Sequence, residues 1–238
     1  MMKTNIMLLL LLGCCMTSNL YAQNQDNALS TKEKSSGWAL LFNGKDLAGW
    51  TTAKGETPDT DWKVEEGILS LKPDNKQHLD LITVEEFSDF DLQVDFKLTE
   101  GANSGIKYFF TSYDVGGWLG PEYQIIDNNK HPDAKLGLNG NRQLGTLYDI
   151  LPLTKKVEIK VGEWNRARIV AKGTSVKHYV NGKEVLSYDR NSPAFDQARK
   201  SSKFKDTQPA FGTIQKGHIL LQDHGDLVFF KNIKIKTL

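Results

Sequence analysis

Apolar residues recur at every second position through most of the chain. Phe90-Asp91-Leu92-Gln93-Val94-Asp95-Phe96-Lys97-Leu98 alternates without a fault, apolar at even positions and polar at odd ones. That period predicts a strand with one core face and one wet face, which leaves Asp91 and Asp95 as solvated charges. Trp38, Leu40 and Phe42 share one parity before the turn signal Asn43-Gly44. Residues 62–64 and 68–71 flank Glu65-Glu66-Gly67 as a hairpin. Residues 79–84, 157–161, 164–171 and 175–180 read as further strands, and Asn181-Gly182 predicts a type I′ hairpin into 184–188. Ser192 and Pro193 supply the N-cap and first position of one short helix to Lys200. Strands at 218–221 and 227–235 close the chain. Many short strands parted by turns, with no internal repeat, predict an all-β sandwich or barrel.

The most informative stretch is NSGIKYFFTSYDVGGWLGPEYQIIDN, residues 103–128. Two apolar runs, 106–110 and 123–126, flank a loop with Gly116, Gly117, Gly120 and Pro121, predicting strand, wide loop, strand. Alternation puts Glu122, Gln124 and Ile126 on one face and Tyr123, Ile125 and Asp127 on the other. Polar Glu122 and Gln124 within an apolar strand fit either a solvated face or a ligand-facing one, with Asn103, Ser104, Tyr108 and Trp118 near by. Polar groups beside aromatic ones suit a sugar, which has a hydroxylated rim and an apolar face.

Charge narrows the classes. With 30 Lys+Arg against 29 Asp+Glu, a net charge of +1 and no basic stripe, nothing points to nucleic acid. At the N-terminus, Lys3, an apolar run at 6–12 and a small-residue end at Ala22-Gln23 predict an export leader over 1–22. The run is too short for a comfortable membrane span. Leu11-Leu12-Gly13-Cys14 also resembles a lipoprotein signal, in which Cys14 becomes the lipidated first residue and the only link to a membrane. Both cysteines, Cys14 and Cys15, fall in the leader, so the mature domain has neither disulfide nor cysteine nucleophile. Polar residues 23–36 read as a linker, and residues 37–238 as one domain.

Positive motifs for chemistry are few. The histidines, at 78, 131, 178, 218 and 224, show no metal-ligand spacing. No glycine-rich loop joins a strand to a helix, and no serine sits in a nucleophile elbow. What remains is carboxylates and histidines near loops: Glu122, Asp127, His131, Asp149 and His224. His178 alternates with Val176 and Val180 and reads as an inward or cross-strand residue. His224 beside Gly225 reads as a turn residue at a rim.

A resemblance adds to this. Gly37-Trp38-Ala39-Leu40-Leu41-Phe42-Asn43-Gly44-Lys45-Asp46-Leu47-Ala48-Gly49-Trp50 resembles the opening signature of the 3-keto-disaccharide hydrolase family. Asn103-Ser104-Gly105-Ile106, Glu122-Tyr123-Gln124-Ile125-Ile126-Asp127, Leu147-Tyr148-Asp149, Trp164-Asn165, His178-Tyr179-Val180-Asn181-Gly182 and Leu221-Gln222-Asp223-His224-Gly225 follow in order. The closing strand departs from the pattern, with Lys231 where arginine is expected. The resemblance implies a concanavalin-A-like β-sandwich, the jelly roll of lectins and glucanases, and action on glycosides oxidised to a ketone at C3. Such a ketone acidifies the C2 proton, so a base can remove it and expel the C1 substituent, and water then adds for a net hydrolysis. That route needs a base, an acid and a group that stabilises the enolate. The expected catalytic residues are Glu122, Asp127, His131 and His224, with Asn103, Tyr108, Gln124, Tyr148, Asp149 and Gln222 holding a small carbohydrate. Histidine titrates near neutral pH, which makes His131 or His224 the natural base or acid and Glu122 the rival. No cofactor is evident, and a divalent ion on histidine and carboxylate stays open as a means of polarising the ketone. A non-catalytic lectin-like module and a structural envelope protein are the alternatives. Ionisable groups clustered on one face would favour the enzyme.

Overall fold

The computed structural model describes residues 25–58, 61–71, 79–114, 117–206 and 210–238. The leader, His78 and Gly116 lie outside them. In chain order the strands are β1 (Trp38–Leu40), β2 (Trp50–Thr51), β3 (Trp62–Glu65), β4 (Ile68–Leu71), β5 (Leu81–Phe87), β6 (Phe90–Leu98) and β7 (Asn103–Tyr113). Then come β8 (Gly117–Leu119), β9 (Glu122–Ile126), β10 (Asn165–Lys172), β11 (Ser175–Val180), β12 (Lys183–Asp189), β13 (Gly217–Leu221) and β14 (Val228–Thr237). Among the described residues the α-helices are α1 (Thr31–Ser35), ahead of β1, and α2 (Pro193–Lys200), between β12 and β13. Among the described residues the strands form two antiparallel sheets. The larger runs β12-β11-β10-β6-β14-β4-β3, with β1 also on β14. The smaller runs β2-β5-β13-β7-β8, with β9 also on β7. One apolar core joins them, as the alternation predicts.

The smaller sheet positions the site. Side chains of Ile106, Tyr108, Tyr123, Ile125, Ile219 and Leu221 point inward and are fully buried, each worth about 1.5–3 kcal/mol of apolar burial. Their neighbours of opposite parity lie on the outer face, where Lys107 pairs with Glu122 and Gly105 with Gln124. β7 is long enough for β9 to pair with its first half and β8 with its second. The chain crosses between these partners at Gly120, where a Cβ would lie 2.9 Å from Phe110 Cα and from the Tyr108 carbonyl, so only glycine fits.

Several expectations are corrected here. Asp91 and Asp95 are not solvated: each is buried in a bidentate pair, with Arg168 and Arg166 respectively, and Asp95 also accepts from Asn232 Nδ2 at 2.8 Å. β6 sits mid-sheet, and the arginine side chains of β10 roof its polar face. Residues 157–161 form no strand, and the loop expected before residue 123 contains β8. The stretch read as a linker is docked from residue 26 onward. Asn27 exchanges hydrogen bonds with Asn232, Lys231 pairs with Asp26, and Lys234 pairs with Glu33 of the capped helix α1. His178 lies in the core as its alternation predicts, between Tyr108 Oη and the Gly145 carbonyl, each at 2.9 Å. Burial lowers its imidazole to about 4, so it stays neutral.

Candidate active site

Outward parity on three adjacent strands builds the pocket floor. Lys107 and Asn103 come from β7 and Glu122 and Gln124 from β9. Gln222 continues β13, its amide bonded to the Gly105 carbonyl at 2.9 Å. The loop 143–148 runs along the free edge of β9, with Tyr148 N donating to Glu122 O at 2.9 Å, and brings Tyr148 over the floor. These residues, with Lys203, Phe204, Leu119, Gly120 and His224, line a cavity of about 210 Å³.

Glu122 is its chemical centre. The residue is 6 % exposed, and Lys107 Nζ lies 3.9 Å from its carboxylate. With its amide turned to suit its neighbours, Gln124 donates to Glu122 Oε1 and to the Ser104 carbonyl, each at 3.0 Å. Gly105 makes room, since a Cβ there would lie 2.7 Å from Glu122 Oε1. Burial pushes the Glu122 carboxyl above its ordinary value, while Lys107 and Lys203 pull the other way. Burial lowers the Lys203 ammonium, opposed by Glu122 and Asp149. A carboxylate and two ammonium groups in a small half-closed cavity are the parts of a proton-transfer site.

The expected residues divide. Glu122, Gln124, Asn103, Tyr148, Gln222 and His224 meet at the cavity. Tyr108 does not, because its parity turns it inward, where its hydroxyl bonds His178 and Tyr188. Asp127 is also absent: its carboxylate accepts the amides of Gly101, Asn129 and Lys130 and fixes the turn after β9. Against the upward push of burial, those amides hold it below the ordinary carboxylate value. Asp149 lies behind the wall. At φ 60 it accepts Arg142 Nε at 2.5 Å and the Lys203 amide at 2.7 Å, and so seats Lys203 with its ammonium 4.2 Å from the centre of the Tyr148 ring. Burial and the neighbouring Asp133 raise the Tyr148 hydroxyl, which stays a proton donor.

His131 sits beside His224, not in the cavity lining, with ring centres 6.1 Å apart and planes at 88°. Ligand atoms of His131, His224 and Asp226 all lie within 4.8 Å of one another, a donor set suited to a borderline divalent ion. However, His131 Nδ1 accepts the Asp133 amide at 3.1 Å, which leaves the neutral ring's proton on Nε2, and the Asp226 carboxylate accepts the Asn103 amide at 2.9 Å. As placed, the one lone pair of the neutral His131 ring is engaged by the Asp133 amide, and an ion bound by His131 would have to displace that contact.

Lys107 and Lys203 were missed by the sequence reading. Lys107 had a signal, since it shares the parity of Asn103 and breaks an apolar run. Lys203 had none, because it arrives through a contact with Asp149 far away in sequence. A larger groove of about 600 Å³, lined by Leu47, Trp50, Trp62, Val64 and Val84 among others, has Asp46 and Glu56 as its ionisable groups among the described residues. The chemistry points to the smaller cavity.

The 3-keto-alpha-glucoside-1,2-lyase-like domain family matches residues 37–236, a span containing every residue of this cavity. The chain belongs to that family. It is 35% identical over 228 residues to a 3-keto-disaccharide hydrolase of Bacteroides thetaiotaomicron, covering 85% of this chain and 79% of that one. A solved Parabacteroides distasonis protein, provisionally designated a glycosyl hydrolase, shares 33% identity at a TM-score of 0.81, covering 90% of this chain and all (100%) of the other. A second from the same organism, with the same designation, shares 30% identity at a TM-score of 0.67, over 84% of this chain and 99% of the other.

Proposed function

We propose that this protein cleaves 3-keto-glycosides, with Glu122 as the base at C2. The observation that carries the reading is a buried carboxylate in one small cavity with two ammonium groups, its carboxyl pushed above the ordinary value by burial. The ordinary glycosidase route needs two facing carboxylates, whereas among the described residues this cavity is lined by one carboxylate and two ammonium groups. In the proposed sequence Glu122 takes the C2 proton as the C3 ketone becomes an enolate. Lys203 and Lys107 stabilise the developing negative charge on the C3 oxygen. As the enolate collapses, the C1–O bond breaks, and His224 at the rim protonates the leaving oxygen. Water then adds at C1 of the 2-hydroxy-3-keto-glycal, giving its proton to His224 while Glu122 returns one to C2. Asn103, Gln124, Tyr148 and Gln222 hold the hydroxyls, and His131 and Asp226 orient His224.

The leader supports an exported protein of the periplasm or cell envelope. Turnover of a 3-keto-glucoside by Glu122→Gln and His224→Ala tests the roles, since losing a general acid or base costs about 10²–10⁴-fold. Wild-type rates in both variants would refute the assignment.

A further inference from the structure

The cavity of about 210 Å³ lies below the roughly 300–1,000 Å³ of pockets that enclose drug-sized ligands. It takes one sugar ring, so the rest of a glycoside must lie across the rim. Leu119 and Gly120 form part of that rim, and the next residue out is Trp118, exposed at 38 %. Cross-strand pairing sets Trp118 opposite Ser112, on the parity of Phe110. Its indole stacks on Phe110 with centres 5.4 Å apart and planes at 24°, and His218 packs against it at 5.8 Å. His218 is itself fixed by its Nδ1 contact with the Thr83 carbonyl at 2.7 Å. Beneath lies a second apolar cluster, Ile82, Phe110 and Leu220, separate from the main core. Leu220 pairs directly with Lys107, which pairs with Glu122, so platform and pocket share one sheet face. An exposed ring held this firmly loses little freedom when a flat partner stacks on it.

We infer that Trp118 forms the leaving-group subsite and favours a flat, apolar aglycone, a selectivity that rests on the 3-keto-glycoside reading above. Asn103, Gln124, Tyr148 and Gln222, which can grip hydroxyls, line the cavity, while the platform presents the Trp118 ring on Phe110, with His218 and its neighbour Glu86 at one side.

The test compares benzyl and methyl 3-keto-glucosides, whose leaving alcohols are similar in acidity, with wild type, Trp118→Ala and Trp118→Phe. Expected is a fall in kcat/KM of about ten-fold for the benzyl substrate in Trp118→Ala, mainly through KM. The methyl substrate should be unchanged, and Trp118→Phe should restore most of the loss. Equal losses on both substrates, or no loss on either, would overturn the subsite. Should wild type turn over neither substrate, the functional reading fails, and calorimetric titration with benzyl and methyl glucosides then decides the subsite separately. Tighter binding of the benzyl compound that Trp118→Ala abolishes supports it, and equal binding of the two refutes it.

Discussion

Glu122 is placed where its charge is costly to the fold and useful for proton transfer. Because its carboxyl is pushed up in the folded chain, the cost is absent below the ordinary carboxylate range and fully present above the folded-state pKa. Glu122→Gln should therefore abolish turnover and yet leave Tm at neutral pH unchanged or higher, with the difference vanishing toward acid. Calorimetry across pH checks this, and a lower Tm at neutral pH would contradict it. The rate of the wild type should rise with pH as the raised Glu122 carboxyl loses its proton. Lys203→Met should lower kcat more than it changes KM. At this scale the sequence was informative wherever parity alone decides a side chain's direction, as for Glu122, Gln124 and Asn103. It misled where parity was not weighed: Tyr108 lies one residue from Lys107 and so faces the core. It was silent on Lys203, which is held by hydrogen bonds and not by a strand.

The elements explain why the pocket keeps its shape. Gly105 on β7 leaves the space that Glu122 of β9 fills. Gly105→Ala should therefore reduce kcat at least ten-fold by displacing the carboxylate, a loss of roughly 1.4 kcal/mol or more in barrier terms. Circular dichroism should show the sheet intact. Asp127 acts differently, as an acceptor for three backbone amides at the end of β9. Asp127→Ala should cost on the order of 3 kcal/mol and lower Tm by about 6–12 °C in a domain of this size. The enzyme that remains folded should keep its KM, and a specific loss of kcat at full stability would return Asp127 to catalysis. Strand alternation and the Asn181-Gly182 turn were readable because they are local. β8 and the loop over 157–161 were not: a three-residue strand forms only because β7 offers an edge, and the alternating Val-Glu-Ile-Lys-Val without a partner edge stays a loop.

For the whole molecule, two sheets around one core put Lys107 and Glu122 on one outer face, over which loops bring Tyr148, Lys203 and His224. The alternation established the sandwich, but only the three-dimensional pairing showed that Asp26, Asn27 and Glu33 clip the segment before the first strand onto β14. Mass spectrometry of the cellular protein should find a mature N-terminus at Gln23 or an acylated Cys14, and retained Met1 would contradict export. The most direct test of the central claim is NMR of the purified protein in D₂O with a 3-keto-glucoside and, separately, its unoxidised parent. The account predicts that only the ketone is consumed and that the released 3-keto sugar carries deuterium at C2. Cleavage of the parent glycoside, or failure to convert separately supplied 2-hydroxy-3-keto-glycal into a sugar with deuterium at C2, would contradict it.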